Sequence, residues 1–114
     1  MTDEFVSAFK TLLDLGRILD KKMERLGLLS NSEYGFIKDQ FFNVTLPDLV
    51  GACQQIVRGE PYEKAELRLK RVLPAVRTAL DKLRKVEQGR SLSADFDEIE
   101  RLLGIIVRHA KVDL

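Results

Sequence analysis

The sequence predicts an all-α protein, an antiparallel up-and-down bundle of four to five helices forming a single domain over residues 1–114. Three observations carry this expectation. Apolar residues recur at intervals of three and four along most of the chain, the spacing that gathers them on one face of a helix. No run of β-branched residues alternates with polar ones in the manner of a half-buried strand. Glycines fall mostly where the periodic segments stop, and only three prolines occur. At 45% hydrophobic and 32% charged residues the composition is that of a soluble globular domain and excludes disorder.

The first helix is expected from Asp3 to Leu26. Phe5, Phe9, Leu12, Gly16, Leu19, Met23 and Leu26 form one seam, with Gly16 a gap that admits a neighbouring backbone. Thr2 is placed to cap its start, and Gly27 to stop it. Ser30-Asn31-Ser32-Glu33 has the capping-box form and opens a second helix over residues 31–42, presenting Tyr34, Ile37, Phe41 and Phe42. Asn43 and Val44 read as a connection. Thr45 then caps a third helix, with Pro47 in its first turn, where a missing N–H costs nothing. Leu46, Leu49, Val50, Cys53, Ile56 and Val57 supply its buried face, and Gly59 ends it.

Glu60-Pro61 opens the fourth and longest helix, which runs to about Gln88 with Gly89 as its stop. Leu69, Val72, Val76, Ala79, Leu83 and Val86 make a heptad seam, widened by Leu73 and Leu80. Pro74 lies in the middle. The helix is therefore either kinked there or broken near Leu73, and the kink is favoured because the apolar phase carries through. The fifth helix spans residues 94–111, capped by Ser93 or Asp95, with Asp95, Asp97, Glu98 and Glu100 where the helix dipole favours negative charge. Phe96, Ile99, Leu102, Leu103, Ile105, Ile106, Val107 and Ala110 spread apolar surface over more than half its girth. Such a helix belongs at the centre of a bundle or between two subunits.

Charge is unevenly spread. The chain as a whole is +1, but residues 61–90 hold nine Lys+Arg against four Asp+Glu, net +5. Lys64, Arg68, Arg71, Lys82 and Lys85 fall on one line of the fourth helix, with the small residues Ala75 and Thr78 in the middle slots. Lys70, Arg77 and Arg84 form a second line. This basic face suits an acidic protein surface or a phosphate backbone; it equally serves as a solvated face paired with Glu63, Glu66, Asp81 and Glu87. It carries no aromatic residue for base stacking. A helix-turn-helix formed by the second and third helices would offer Asp48, Gln54, Gln55 and Arg58 to DNA, with little positive charge near its start.

Chemistry is thinly supplied. The one histidine, His109, is followed by Ala110, Lys111, Val112 and Asp113, unlike the His-x-x-Lys-Gly setting of helical phosphotransfer domains. A helix-capping role suits it better. The one cysteine, Cys53, sits among apolar neighbours and excludes an internal disulfide. No phosphate loop, nucleophile elbow, zinc spacing or coenzyme fingerprint occurs. The acidic start lacks a secretory signal pattern, and the apolar runs Leu102-Leu103 and Ile105–Val107 fall far short of the roughly 20 residues a bilayer requires. The expectation is a cytoplasmic, non-catalytic interaction module. It has no cofactor, metal, membrane or small-molecule ligand, and it pairs with a protein or with itself as a homodimer. A small subunit of a nucleoprotein complex, binding a nucleic-acid backbone through residues 61–88, is the alternative.

Overall fold

The computed structural model describes residues 3–25, 32–86 and 92–110. Within them the chain is all-α: α1 (Asp3–Arg25), α2 (Ser32–Gln40), α3 (Leu46–Val57), α4 (Tyr62–Val86) and α5 (Ser93–Ala110), with a π-helical stretch over Phe41–Thr45. The Thr2 cap, the Gly27 and Gly89 stops, the Ser30-Asn31 start, Leu26, Gln88 and Lys111 lie outside the described residues.

The expected break between the second and third helices is absent. Gln40, Thr45 and Leu46 all have right-handed helical φ and ψ, so α2, the π stretch and α3 form one rod. Thr45 makes no side-chain cap; its hydroxyl donates 3.0 Å back to the Gln40 carbonyl. The physical cause is Pro47. Inside a continuous helix its ring would press on the carbonyl four residues back, at Asn43. The turn just before it is widened instead, and the Leu46 N–H reaches the Phe41 carbonyl five residues back.

The rod ends where expected. Gly59 takes φ +79°, and its N–H and that of Glu60 donate to the Ile56 and Gln55 carbonyls at 3.1 and 3.2 Å. This is the paired closure that glycine permits without strain. Helix α4 runs unbroken through Pro74, which stands on its exposed side. The Lys70 carbonyl, left without a helical donor by Pro74, can therefore be served by water.

Helices α1 and α4 each run opposite to α5, as their cross-links show. Lys22 near the end of α1 reaches Asp95 at the start of α5 at 3.1 Å, while Glu4 at the other end of α1 takes Arg108 at 2.8 Å. Arg84 late in α4 meets Asp97 early in α5 at 2.7 Å, and the Tyr62 hydroxyl at the other end donates to the Ala110 carbonyl. Asp95 thus lies inside the first turn as an ion-pair partner and is not the cap of α5. The most extensive packing joins α1 to α5 and α3 to α4. The long dimension, 42 Å, is close to the length of α4, whose 25 residues rise by about 1.5 Å each.

Among the described side chains, which exclude that of Val86, the core contains the expected seams of α1, α4 and α5 together with Phe41, Phe42, Leu46, Leu49, Val50 and Cys53. Val57, assigned to the buried face of the third helix, is exposed instead. Gly16 does admit a close neighbour, but it is a side chain, not a backbone. A Cβ there would lie far inside contact distance of Leu46 Cδ2 and 3.8 Å from Phe42. Gly104, by contrast, faces open space. Gly16→Ala is expected to cost about 1–3 kcal/mol through overpacking, whereas Gly104→Ala should gain up to about 1 kcal/mol in helix propensity. Urea unfolding of the two variants, with opposite signs, checks the register of α1 on the π stretch.

Candidate interaction surface

The eight basic residues singled out on the fourth helix divide into two groups. Arg68 lies across α3: Nε is 2.5 Å from Asp48 Oδ1, and Nη1 donates to Gln55 Oε1 at 3.0 Å. Asp48, Gly51 and Gln55 share one side of α3, and the guanidinium passes over the glycine, where a Cβ would come within 2.7 Å of Nη2. Arg84 holds the opposite flank, bonded to Asp97, 3.3 Å from Glu100 and over the Phe96 ring. Lys70 pairs with Glu66 one turn away at 3.1 Å, and Arg71 approaches Asp48 at 3.9 Å. Lys64, Arg77, Lys82 and Lys85 are exposed and form no ion pair with a described residue.

Between these flanks α4 faces α2 across an open groove of about 390 Å³. Pro74, Ala75, Thr78, Ala79 and Lys82 line it from α4; Phe36, Ile37, Gln40 and Thr45 line it from the other side. Phe36 is 66% exposed, an unusual position for a large aromatic. The middle slots of the basic line are thus the floor of a mixed groove, and the aromatic absent from that line is supplied by α2. Leu67, 70% exposed on α4, adds a further apolar side chain to the outer surface.

A second groove of about 370 Å³ runs between α1 and α3, with Leu13, Phe42, Leu46 and Val50 below and Arg17, Asp20, Asn43 and Gln54 around its edge. Beside it lies a group that no pattern in the amino-acid order singles out. Lys38 on α2 is 3% exposed, the one buried charged residue among those described. Its ammonium donates to Asp20 of α1 and lies 3.8 Å from Glu24, 4.0 Å from Asp39 and 6.0 Å from the centre of the Phe42 ring. Each carboxylate is more exposed than the lysine they serve. The α1–α2 junction thus pairs its buried cation with acids presented on its wet side.

The helix-turn-helix reading is overturned. Such a motif needs two helices set at a steep angle by a turn, and here the backbone is helical straight through residues 40–46. Asp48 and Gln55, two of its would-be reading residues, are held by Arg68. His109 bridges α1 and α5, its Nε2 3.4 Å from Glu4 Oε2 and its ring edge-on to Phe5. Cys53 is fully buried, and burial pushes its thiol up to about 12 against a smaller downward pull from Arg68. Among the described residues no three His, Cys, Asp or Glu side chains are grouped to hold a metal ion, and no helix is long and apolar enough to cross a membrane. No family model, curated protein or solved structure matches the chain.

Two outcomes follow from these buried groups. Asp20→Ala should destabilise the fold by about 3 kcal/mol, because it strips a buried ammonium of its bonded acid; Lys38→Met should cost much less, because Asp20 can turn to water. Chemical denaturation of both variants reads the asymmetry. With its thiol near 12, Cys53 is ionised in only about one molecule in ten thousand at pH 8. A disulfide reagent should therefore label it no faster than the protein unfolds, and at once in denaturant.

Proposed function

We propose that the chain is a non-catalytic protein-interaction module, built as an up-and-down helical bundle and acting through its exposed helical faces. The observation that carries this reading is the groove between α2 and α4, where Phe36 stands exposed over the small residues Ala75 and Thr78. A large aromatic kept in water costs solubility and contributes nothing to its own core. Beside a groove of small side chains it has the form of an interface anchor. The chemistry-bearing side chains give little to an enzyme: the thiol is buried and protonated, and the imidazole lies between a carboxylate and a phenyl ring. Such a thiol suits the reducing cytoplasm.

Lys64, Arg77, Lys82 and Lys85, which form no ion pair with a described residue, favour a second reading, in which α4 follows a nucleic-acid backbone without reading sequence. Arg68 and Arg84 weaken it, because both are engaged by neighbouring helices and are not free to bind phosphates.

Size-exclusion chromatography with light scattering, with and without a short mixed-sequence RNA, separates the two. The module reading expects an elution position that RNA leaves unchanged at low and moderate salt. A mass of two 13.0 kDa chains would make a second copy the partner. Co-elution with RNA that disappears as salt rises would replace the reading with the nucleoprotein one.

A further inference from the structure

We infer that the α2/α4 groove seats an acidic amphipathic helix of a partner protein; the inference rests on the interaction-module reading and names the partner's chemistry. Two antiparallel helices side by side leave a channel along their common axis, into which a third helix packs its apolar side chains at intervals of three and four. The floor here is made for such a ridge. Ala75, Thr78 and Ala79 are short enough to let a partner's side chains descend, while Phe36 stands above them as the anchor.

The charge around the groove selects among occupants. Lys82 stands in its wall and Lys85 follows three residues on; both are exposed and neither forms an ion pair with a described residue. Arg77 lies farther round the exposed side of α4 in the same state. The acids nearest in sequence are Asp81 on α4, also exposed, and Asp39 on α2, which stands 4.0 Å from the buried Lys38. The balance is positive, and a partner carrying carboxylates beside its apolar ridge would neutralise it.

A second copy of this chain fits poorly. Two α4 helices meeting across a two-fold axis would set lysines and arginines against one another. The acidic start of α5 could in principle answer them, but it is already engaged. Asp95 binds Lys22, Asp97 and Glu100 take Arg84, and Glu98 binds Arg101 at 2.5 Å. A nucleic acid is also disfavoured. The groove floor is apolar, and the two guanidiniums on the edges of α4 are bonded to Asp48, Gln55 and Asp97.

The test is fluorescence anisotropy on the full chain with three labelled probes. The first is an amphipathic peptide of about 18 residues, roughly five helical turns, with leucines at intervals of three and four and glutamates elsewhere. The second is the same composition scrambled, and the third a short single-stranded RNA. The expected result is that the amphipathic peptide binds at least tenfold more tightly than the scrambled one. Phe36→Ala and Lys82→Glu should each weaken it tenfold or more, while Lys10→Glu, the same charge change on the exposed side of α1, should not. All three positions are exposed, and circular dichroism establishes that the variants fold.

Equal binding of the two peptides, or indifference to Phe36→Ala, would overturn the inference, since attraction would then be by charge alone. Equal loss with Lys10→Glu would overturn it in the same way. Failure of both peptides and the RNA to bind would overturn the groove assignment alone and leave the module reading to the light-scattering result. Preferential, salt-sensitive binding of the RNA would remove both.

Discussion

The structure depends on how a proline is carried inside a continuous helix. Pro47 offers no N–H and brings a ring toward the preceding turn. The chain answers by widening that turn, so that Leu46 bonds to Phe41 and the rod of α2 and α3 continues without a break. A π turn adds one residue to the circuit and so rotates everything on one side of it relative to the other. Phe41, Phe42 and Leu46 of the widened turn join Leu49, Val50 and Cys53 in the core. Leu46 then fills the space that Gly16 leaves on α1. The lock between α1 and the rod is thus a consequence of backbone geometry as much as of apolar content.

The same geometry determines what α2 buries and what it leaves in water. With the rod held against α1 by Leu46, Lys38 is turned inward, where Asp20 and Glu24 answer its charge. Phe36, two residues earlier, is turned away from the core and toward α4. An aromatic is thereby exposed and an ammonium buried, the reverse of what their hydrophobicities alone would favour. The buried ion pair is tolerated because its carboxylates reach solvent. The exposed ring is what gives the α2/α4 side its character as a surface for another molecule.

Charge follows a similar division of labour along α4. The guanidiniums at its two edges are structural. Arg68 reaches over Gly51 to Asp48 and Gln55, and Arg84 reaches the acidic start of α5. Each planar fork meets acceptors from a neighbouring helix, a geometry for which arginine is better suited than lysine. The lysines Lys64, Lys82 and Lys85 remain on the outside with Arg77, where flexible cations are cheap to keep hydrated and available. A stripe that looks uniform in one dimension is thus split by its neighbours into struts and outward-facing charges.

The seams of α1, α4 and α5 were legible in the amino-acid order, because three-four spacing is a property of a single helix and needs no partner to define it. Gly59 was legible as a stop for the same reason, since a left-handed residue after a helix is a local matter. Asn43, Val44, Thr45 and Pro47, however, carry every local mark of a chain break and helix start, and locally that reading is sound. Only the packing of both flanking segments against α1 and α4 makes it worthwhile to keep the rod whole and open one turn. The groove was hidden for a related reason. Phe36 and Ala75 are 39 positions apart, and nothing in either segment shows that they will line one groove. Periodicity determined which face of each helix turns inward. Tertiary structure alone decided which outward residues meet, because that depends on the relative rotation of two helices, set here by one widened turn.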